Sequence, residues 1–376
     1  MKKMTVFALM ATVITSSCSQ DEIVDTNDGN KIGVRTSVMK PNTKAANQVT
    51  NVTDFIVKAN DGTKDFIPEG FSDGSTFGGE SYVWPGTVLN FTALSHGTNK
   101  TTDLRSIASS TLAFTPEPEI ADQKELLVAF NSTLATQVSG TVGLNFRHAL
   151  SQIEVSAKNS ATSHKVRIAG VKLANAKSGA TITFPTTSTA TENTPLDAGV
   201  WTAHAAATNY VAAQAAGANA ITALTGDASR VILPSTLKNF MLVPQANDPA
   251  VFVPGTDETT TNTGKTYISV LCHITSADDT GVIFPTETKH INSTNGSAAA
   301  IVIGTKNYQW VSVAVDLDWL PGKKYTYTLD FTKGGGVVDP EIDPETPIVL
   351  GLIGVTITTD QWQTGEGDGD KPMGPV

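Results

Sequence analysis

The sequence predicts an all-β protein divided into two domains, and three observations carry that expectation. Short runs rich in Val, Ile, Phe and Tyr recur along the chain, with Gly, Pro, Asn and Asp between them, as strands joined by turns require. Apolar residues make up 40% and charged residues only 16%. Thr, Ser, Ala, Val and Asn fill the places where a helical bundle would use Leu, Glu and Lys. A length of 376 residues is more than one compact core usually organises. The formal net charge of −10, with no Lys/Arg cluster, argues against nucleic acid as a partner, because nothing could track a phosphate backbone. It suits a protein that stays soluble outside the cell.

The elements follow in order. Lys2 and Lys3 precede an apolar run over residues 5–15, and small residues then lead to Cys18. The run falls well short of the roughly 20 residues a membrane span needs, so it reads as a signal peptide. The cysteine directly after it resembles a bacterial lipoprotein box, in which Cys18 becomes the acylated new N-terminus. Residues 1–18 are therefore read as a lipoprotein signal peptide and 19–30 as a polar tether. The acidic start of that tether, Ser19-Gln20-Asp21-Glu22, resembles an export tag of surface lipoproteins. Cys272 is the other cysteine. With Cys18 acylated no disulfide can form. His273 is adjacent, but neighbours on a strand point to opposite faces, so Cys272 reads as a buried structural thiol.

Residues 31–39 read as the first strand, with Ile32 and Val34 in register and Val38 after a slip. Further runs lie at 54–59, 82–84, 88–94 and 125–130. The Ser/Thr/Gly-rich stretch at 131–141 is the expected boundary, giving an N-terminal domain over 31–137 and a C-terminal domain over 138–364. In the second part Val142, Leu144 and Phe146 alternate, as do Ile153, Val155 and Ala157. Later strands fall at 231–233, 240–244, 266–273, 310–315 and 325–331. Residues 203–223 contain the one candidate helix. Interior Gly217 and scattered Thr and Asn make it poor, so the stretch reads as a loop with a helical turn. A Gly/Pro/acid segment over 334–345 separates 325–331 from a last apolar strand at 348–362. Residues 365–376 read as a disordered tail.

Several segments resemble one family. Tyr82-Val83-Trp84-Pro85 with Leu89-Asn90-Phe91-Thr92-Ala93, the run Leu144-Asn145-Phe146-Arg147-His148-Ala149-Leu150-Ser151-Gln152-Ile153, and Pro321-Gly322-Lys323-Lys324-Tyr325-Thr326-Tyr327-Thr328-Leu329 occur in the order seen in fimbrillin-type lipoproteins. Val355-Thr356-Ile357-Thr358-Thr359-Asp360-Gln361-Trp362 is similar to that family's closing strand. The resemblance implies two transthyretin-like β-sandwich domains in tandem and a pilus subunit in an outer-membrane, lipid-anchored precursor form. It implies assembly by strand exchange: a trypsin-like protease removes the first strand, and the open groove accepts a strand from a sister subunit. The physics is that a sandwich lacking one strand exposes unpaired backbone and an apolar slot. On this chain the cleavage candidates are Arg35 and Lys44. The donor strand would carry Ile348, Leu350, Leu352, Val355, Ile357 and Trp362, with 334–345 as its tether. The competing arrangement folds that last strand back into its own sheet. The alternative function is a monomeric surface lipoprotein that binds a host glycan or protein.

Other constellations read blandly. Asp339, Glu341, Asp343 and Glu345 at two-residue spacing could ligate calcium, but no EF-hand glycine accompanies them, so a solvated linker is expected. His148 has no Ser or Asp constellation around it and reads as packing or capping. No catalytic motif or phosphate loop is present, so neither enzymatic activity nor a cofactor is expected. Trp84, Trp201, Trp310, Trp319 and Trp362 could stack on sugars, yet their strand positions favour core packing.

Overall fold

A computed structural model describes residues 31–38, 52, 54–63, 65–73, 82–95, 111–133, 137, 139–184, 191, 194, 196, 200–213, 221–232, 239–247, 249–257, 262, 264–286 and 300–361. Cys18, Lys44, Trp362, the signal peptide, the tether and the tail lie outside the described residues. Within them the chain is all-β, with a short 3-10 turn at Ile120–Asp122. The strands begin with β1 (Gly33–Val38), β2 (Asp54–Asn60), β3 (Asp65–Asp73), β4 (Asn90–Ser95), β5 (Thr111–Phe114), β6 (Leu127–Ser132) and β7 (Thr141–His148). Next come β8 (Ser151–Asn159), β9 (His164–Lys177), β10 (Ala180–Thr183), β11 (Trp201–Thr202), β12 (Ala207–Ala213), β13 (Gly226–Val231), β14 (Phe240–Leu242) and β15 (Gln245–Asn247). The last are β16 (Tyr267–Ser276), β17 (Val282–Phe284), β18 (Ile301–Ile303), β19 (Lys306–Ala314), β20 (Leu317–Trp319), β21 (Lys323–Asp330), β22 (Val337–Val338) and β23 (Gly354–Gln361).

The first six-stranded sheet has the order β1-β7-β6-β4-β2-β3. Its strands alternate with the period of two that the pleat imposes. Phe55, Val57, Phe91, Ala93, Leu127, Ala129, Leu144 and Phe146 pack on one face. Ile56, Leu94, Leu126 and Val128 belong to a second cluster, shared with Leu112, Phe114, Ala180, Ile182 and Trp201. That second cluster sits under a small sheet, β11-β10-β5, in which β5 pairs with β10 from the later part of the chain. The early and late parts of the chain are therefore laced together by a shared ladder and a shared core.

Two further sheets enclose the largest core. One has the order β12-β9-β16-β19-β18, with β17 on β16 and β22 on β19; the other is β13-β8-β21-β23, with β14 on β8. Between them lie Ile153 and Val155 of β8, Val171 and Leu173 of β9, Val270 and Cys272 of β16, and Tyr327 and Leu329 of β21. Buried Trp319 donates from Nε1 to the Tyr327 hydroxyl at 2.9 Å, which donates in turn to the Asp316 carbonyl at 3.1 Å. Trp319 and Tyr327 thus enter the core with their polar atoms satisfied.

Four expectations change. Strand β7, expected to open the second domain, pairs with β1 and β6 in the first sheet. No slip is needed in β1: Ile32, Val34, Thr36 and Val38 share one face, and the Thr36 hydroxyl donates to the Val52 carbonyl at 2.9 Å. The looked-for loop at 203–223 contains strand β12, hydrogen-bonded along β9. The last apolar run is not one strand, because regular pairing begins only at Gly354.

Candidate functional site

The geometry that bears on strand exchange is the contrast between the leading and terminal strands. β1 occupies the edge of its sheet and runs parallel to β7, from Gly33↔Thr141 to Val38↔Phe146. Although an edge strand, it is deeply seated. Ile32, Val34 and Val38 are buried against Phe55, Trp84, Val142 and Phe146. Its start is also tied down, since the Ile32 amide donates to the Tyr82 carbonyl at 2.8 Å. Arg35 faces outward and is exposed.

β23 is attached differently. It forms a full antiparallel ladder with β21, from Lys323↔Gln361 to Asp330↔Gly354. Yet its residues are exposed apart from half-buried Val355. Val355 lies opposite buried Leu329, and Ile357 lies opposite buried Tyr327 while remaining 40% exposed. Backbone hydrogen bonds rather than side-chain burial hold this strand. Upstream, Ile348, Leu350 and Leu352 are all about half exposed or more (49%, 54% and 61%), whereas Val349 and Ile353 between them are buried. Leu350 has φ of 66°, in the left-handed region that a Cβ disfavours.

The segment between β21 and β23, expected to be a solvated linker, is instead folded onto the sheet. Gly334–Gly336 lie against 349–351: the Gly335 amide donates to the Val349 carbonyl at 2.7 Å, and that of Gly336 donates to the Gly351 carbonyl at 2.8 Å. A Cβ on Gly334 would stand 2.1 Å from the Gly351 amide nitrogen, so this backbone approach needs glycine. Beyond it β22 joins the edge of β19, and Asp339 is fully buried.

Asp339 meets a lysine that the sequence reading did not single out. Lys172 of β9 stands opposite Ser269 of β16, which stands opposite Ser312 of β19. All three lie on the sheet face turned away from Val171, Val270 and Val311 of the large core. Lys172 Nζ is 2.9 Å from Asp339 Oδ2 and 2.7 Å from Glu341 Oε2. The Ser269 hydroxyl donates to Asp339 Oδ2, and the Glu341 amide donates to Oδ1 at 2.9 Å. Asn209 Nδ2 donates to the other Glu341 oxygen at 2.9 Å. The Trp310 and Tyr267 rings flank the ammonium at 5.6 and 6.0 Å. Burial alone would lower the Lys172 pKa, but the two carboxylates outweigh it and raise the value. The resting contact is an ion pair. One signal in the sequence could have revealed it: a lysine in the middle of the apolar run Val166-Arg167-Ile168-Ala169-Gly170-Val171-Lys172-Leu173 needs a partner wherever both sheet faces are covered.

The remaining candidates take structural places. Cys272 is fully buried in the large core, and burial pushes its thiol well above the ordinary pKa. His273 points to the opposite face, with Nδ1 2.8 Å from the Asn307 carbonyl. His148 is buried beside the Glu125 carboxylate. Trp84, Trp201 and Trp319 are buried and Trp310 is half-buried. Among the described residues no group of His, Cys, Asp and Glu is arranged to hold a metal ion.

A family model described as fimbrillin-like matches residues 19–362. Among solved structures, the chain is similar to a candidate cell adhesion protein of Bacteroides eggerthii DSM 20697. The identity is 14%, covering 89% of this chain and 96% of that one, with a TM-score of 0.47. A candidate cell adhesion protein of Parabacteroides distasonis ATCC 8503 is similar at 12% identity, over 89% and 97% of the two chains, with a TM-score of 0.46. The fimbrial anchor protein Mfa2 of Porphyromonas gingivalis is similar at 12% identity, over 88% and 97%, with a TM-score of 0.31. Comparison with curated proteins gives no significant match.

Proposed function

The chain belongs to the fimbrillin-like family, and we propose that it serves as a structural or accessory subunit of a surface fimbria. In this reading it is exported as a lipoprotein acylated at Cys18 and held at the outer membrane. Its two domains are transthyretin-like sandwiches in tandem, with the division drawn after β7, where the ladders change partners, rather than at 131–141. A protease cuts after Lys44, so that all of β1 leaves, or after Arg35, so that its first half leaves, and a sister subunit fills the groove along β7. The donated strand comes from the region carrying Ile348, Leu350, Leu352, Val355, Ile357 and Trp362.

The observation that carries the reading is the unequal seating of the two strands. Burying a Val or Ile side chain contributes about 1.5–3 kcal/mol. The groove therefore loses roughly 4.5–9 kcal/mol when the cut after Lys44 withdraws Ile32, Val34 and Val38, and a replacement strand is strongly favoured. β23 gives up little by leaving its own sheet, because Val355 is its one substantially buried side chain. Exposed Ile348, Leu350 and Leu352 gain burial wherever the donated strand is inserted.

Limited trypsin treatment of the purified precursor tests the proposal. The expected result is a clip near Arg35 or Lys44 followed by SDS-resistant ladders, with a chain lacking residues 348–376 staying folded and monomeric. Clipped protein that remains monomeric would refute polymerisation, and unchanged ladders from the truncated chain would refute the donor assignment.

A further inference from the structure

The geometry points to a covalent cross-link within one chain: Lys172 and Asp339 are placed to condense into an amide, with Glu341 as the proton relay. This inference is independent of the fimbrial role. Three features distinguish the site from an ordinary buried ion pair. The first is enclosure. Asp339 is fully buried, the Lys172 side chain is 5% exposed, and Tyr267 and Trp310 flank the ammonium. Burial opposes the charged form of Lys172, although the two carboxylates still hold it protonated at rest. The second is a second acid, Glu341, 2.7 Å from the same nitrogen. Its side chain is 52% exposed, so it opens to water at the mouth of the site. The third is the set of donors around Asp339, with the Glu341 amide on Oδ1 and the Ser269 hydroxyl on Oδ2.

The step balances without any co-reactant. A proton passes across the 2.9 Å contact from Lys172 Nζ to Asp339 Oδ2, leaving a neutral amine beside a neutral acid. The Nζ lone pair attacks Asp339 Cγ, and the nitrogen–carbon bond forms as the carbonyl π pair moves onto Oδ1. There the Glu341 amide stabilises the developing charge. The Glu341 carboxylate takes a proton from Nζ and delivers it to the departing Oδ2 hydroxyl. The Cγ–Oδ2 bond breaks, water leaves toward the exposed Glu341 side, and the amide carbonyl re-forms. Nothing is oxidised or reduced. Packing holds amine and acid in contact, which lowers the barrier by orientation. The product would tie the segment after β21 to the interior strand β9 by a bond that neither heat nor denaturant opens.

Mass spectrometry of the purified full chain under denaturing conditions tests this, together with its tryptic digest. The expected digest leaves Lys172 uncut. It contains a branched peptide joining the β9 region to the segment that starts at Gly334, lighter than the sum of its parts by one water, about 18 Da. An aspartyl residue can also lose water as a succinimide, but that ring needs the amide hydrogen of the next residue, and Pro340 has none. Lys172→Arg, which keeps a positive charge in the pocket, should restore the full mass, and Glu341→Gln should raise the unlinked fraction. Separate Lys172 and Asp339 peptides from folded wild-type chain would overturn the proposal. A Glu341→Gln chain linked as completely as wild type would overturn the relay.

Discussion

A matched pair of substitutions, Val34→Ala in β1 and Val355→Ala in β23, weighs the two strands against each other. Each removes the same two methyl groups. Val34 is 7% exposed, and its cluster includes Phe55, Phe146 and Val142. At about 0.8 kcal/mol per buried carbon, plus a cavity contribution, its loss should cost about 2 kcal/mol. Val355 is half-buried at the sheet margin, where the site can collapse or admit water, so the same deletion should cost less than about 1 kcal/mol. Urea denaturation of both variants gives the two costs. Native-state hydrogen exchange adds the strand-resolved view, in which amides of residues 354–361 should exchange through a smaller opening than those of 33–38. Equal costs, or protection in β23 matching that in β1, would refute the claim that the terminal strand is the releasable one.

Three more outcomes follow from the same structure. Leu350→Gly should stabilise the monomer by about 0.5–1 kcal/mol in urea denaturation, since relief of a left-handed Leu outweighs the added freedom of glycine in the unfolded chain. It should also slow ladder formation. Asp279 is held well below the usual carboxylate range, first by hydrogen bonds from Arg167 and then by one from Thr275. A depressed folded-state pKa adds stability above the unfolded value of about 3.9 and loses it as pH falls toward the folded value. Asp279→Asn should therefore be less stable than wild type at pH 5–7, with the difference shrinking below about pH 4 in urea midpoints taken across that range. The Cys272 peptide should stay unalkylated by maleimide in the folded chain and become labelled in denaturant, because the thiol is fully buried.

Strands whose apolar residues keep a period of two are legible in the sequence. Tyr325, Tyr327 and Leu329 alternate in β21, as do Val142, Leu144 and Phe146 in β7, and both lie where the pattern put them. What the pattern lacks is partner identity. The alternation in β7 is equally good evidence for either sheet, and only the ladder with β1 and β6 decides. β12 escaped because Ala207-Thr208-Asn209-Tyr210-Val211-Ala212-Ala213 has two large apolar residues, adjacent and therefore on opposite faces. Pairing along β9 makes it a strand, not propensity. Of the strands the proposal uses, β1 and the paired part of β23 were readable, and the irregular run at 348–353 was not. Asp339 was misread for a related reason. Alternating acids beside prolines look solvated locally, and the cation that permits burial belongs to a distant strand.

The folded state of 334–351 also bears on how long a releasable terminal strand can be. Freeing the chain from Ile348 onward would break the Gly335–Val349 and Gly336–Gly351 hydrogen bonds and withdraw Val349 and Ile353 from the large core. Two buried aliphatic side chains alone make that cost about 3–6 kcal/mol. Freeing it from Gly354 breaks only the ladder with β21, whose hydrogen bonds a receiving groove replaces one for one, and exposes part of Val355. Gly354 lies where the pinned part, 349–353, meets the loosely held strand, and glycine accepts the backbone rotation a hinge needs. Exposed Ile348, Leu350 and Leu352 all lie upstream of it. A donor that begins at Gly354 therefore inserts Val355 and Ile357 first. It recruits Ile348 and Leu350 only if the gain in the receiving groove exceeds the cost of unpinning 349–353. Replacing Gly351 by a residue with a side chain drives a Cβ to 2.4 Å from the Lys333 carbonyl. That substitution should loosen the pin and lengthen the released strand, seen as faster hydrogen exchange at 349–353 with β1 unchanged.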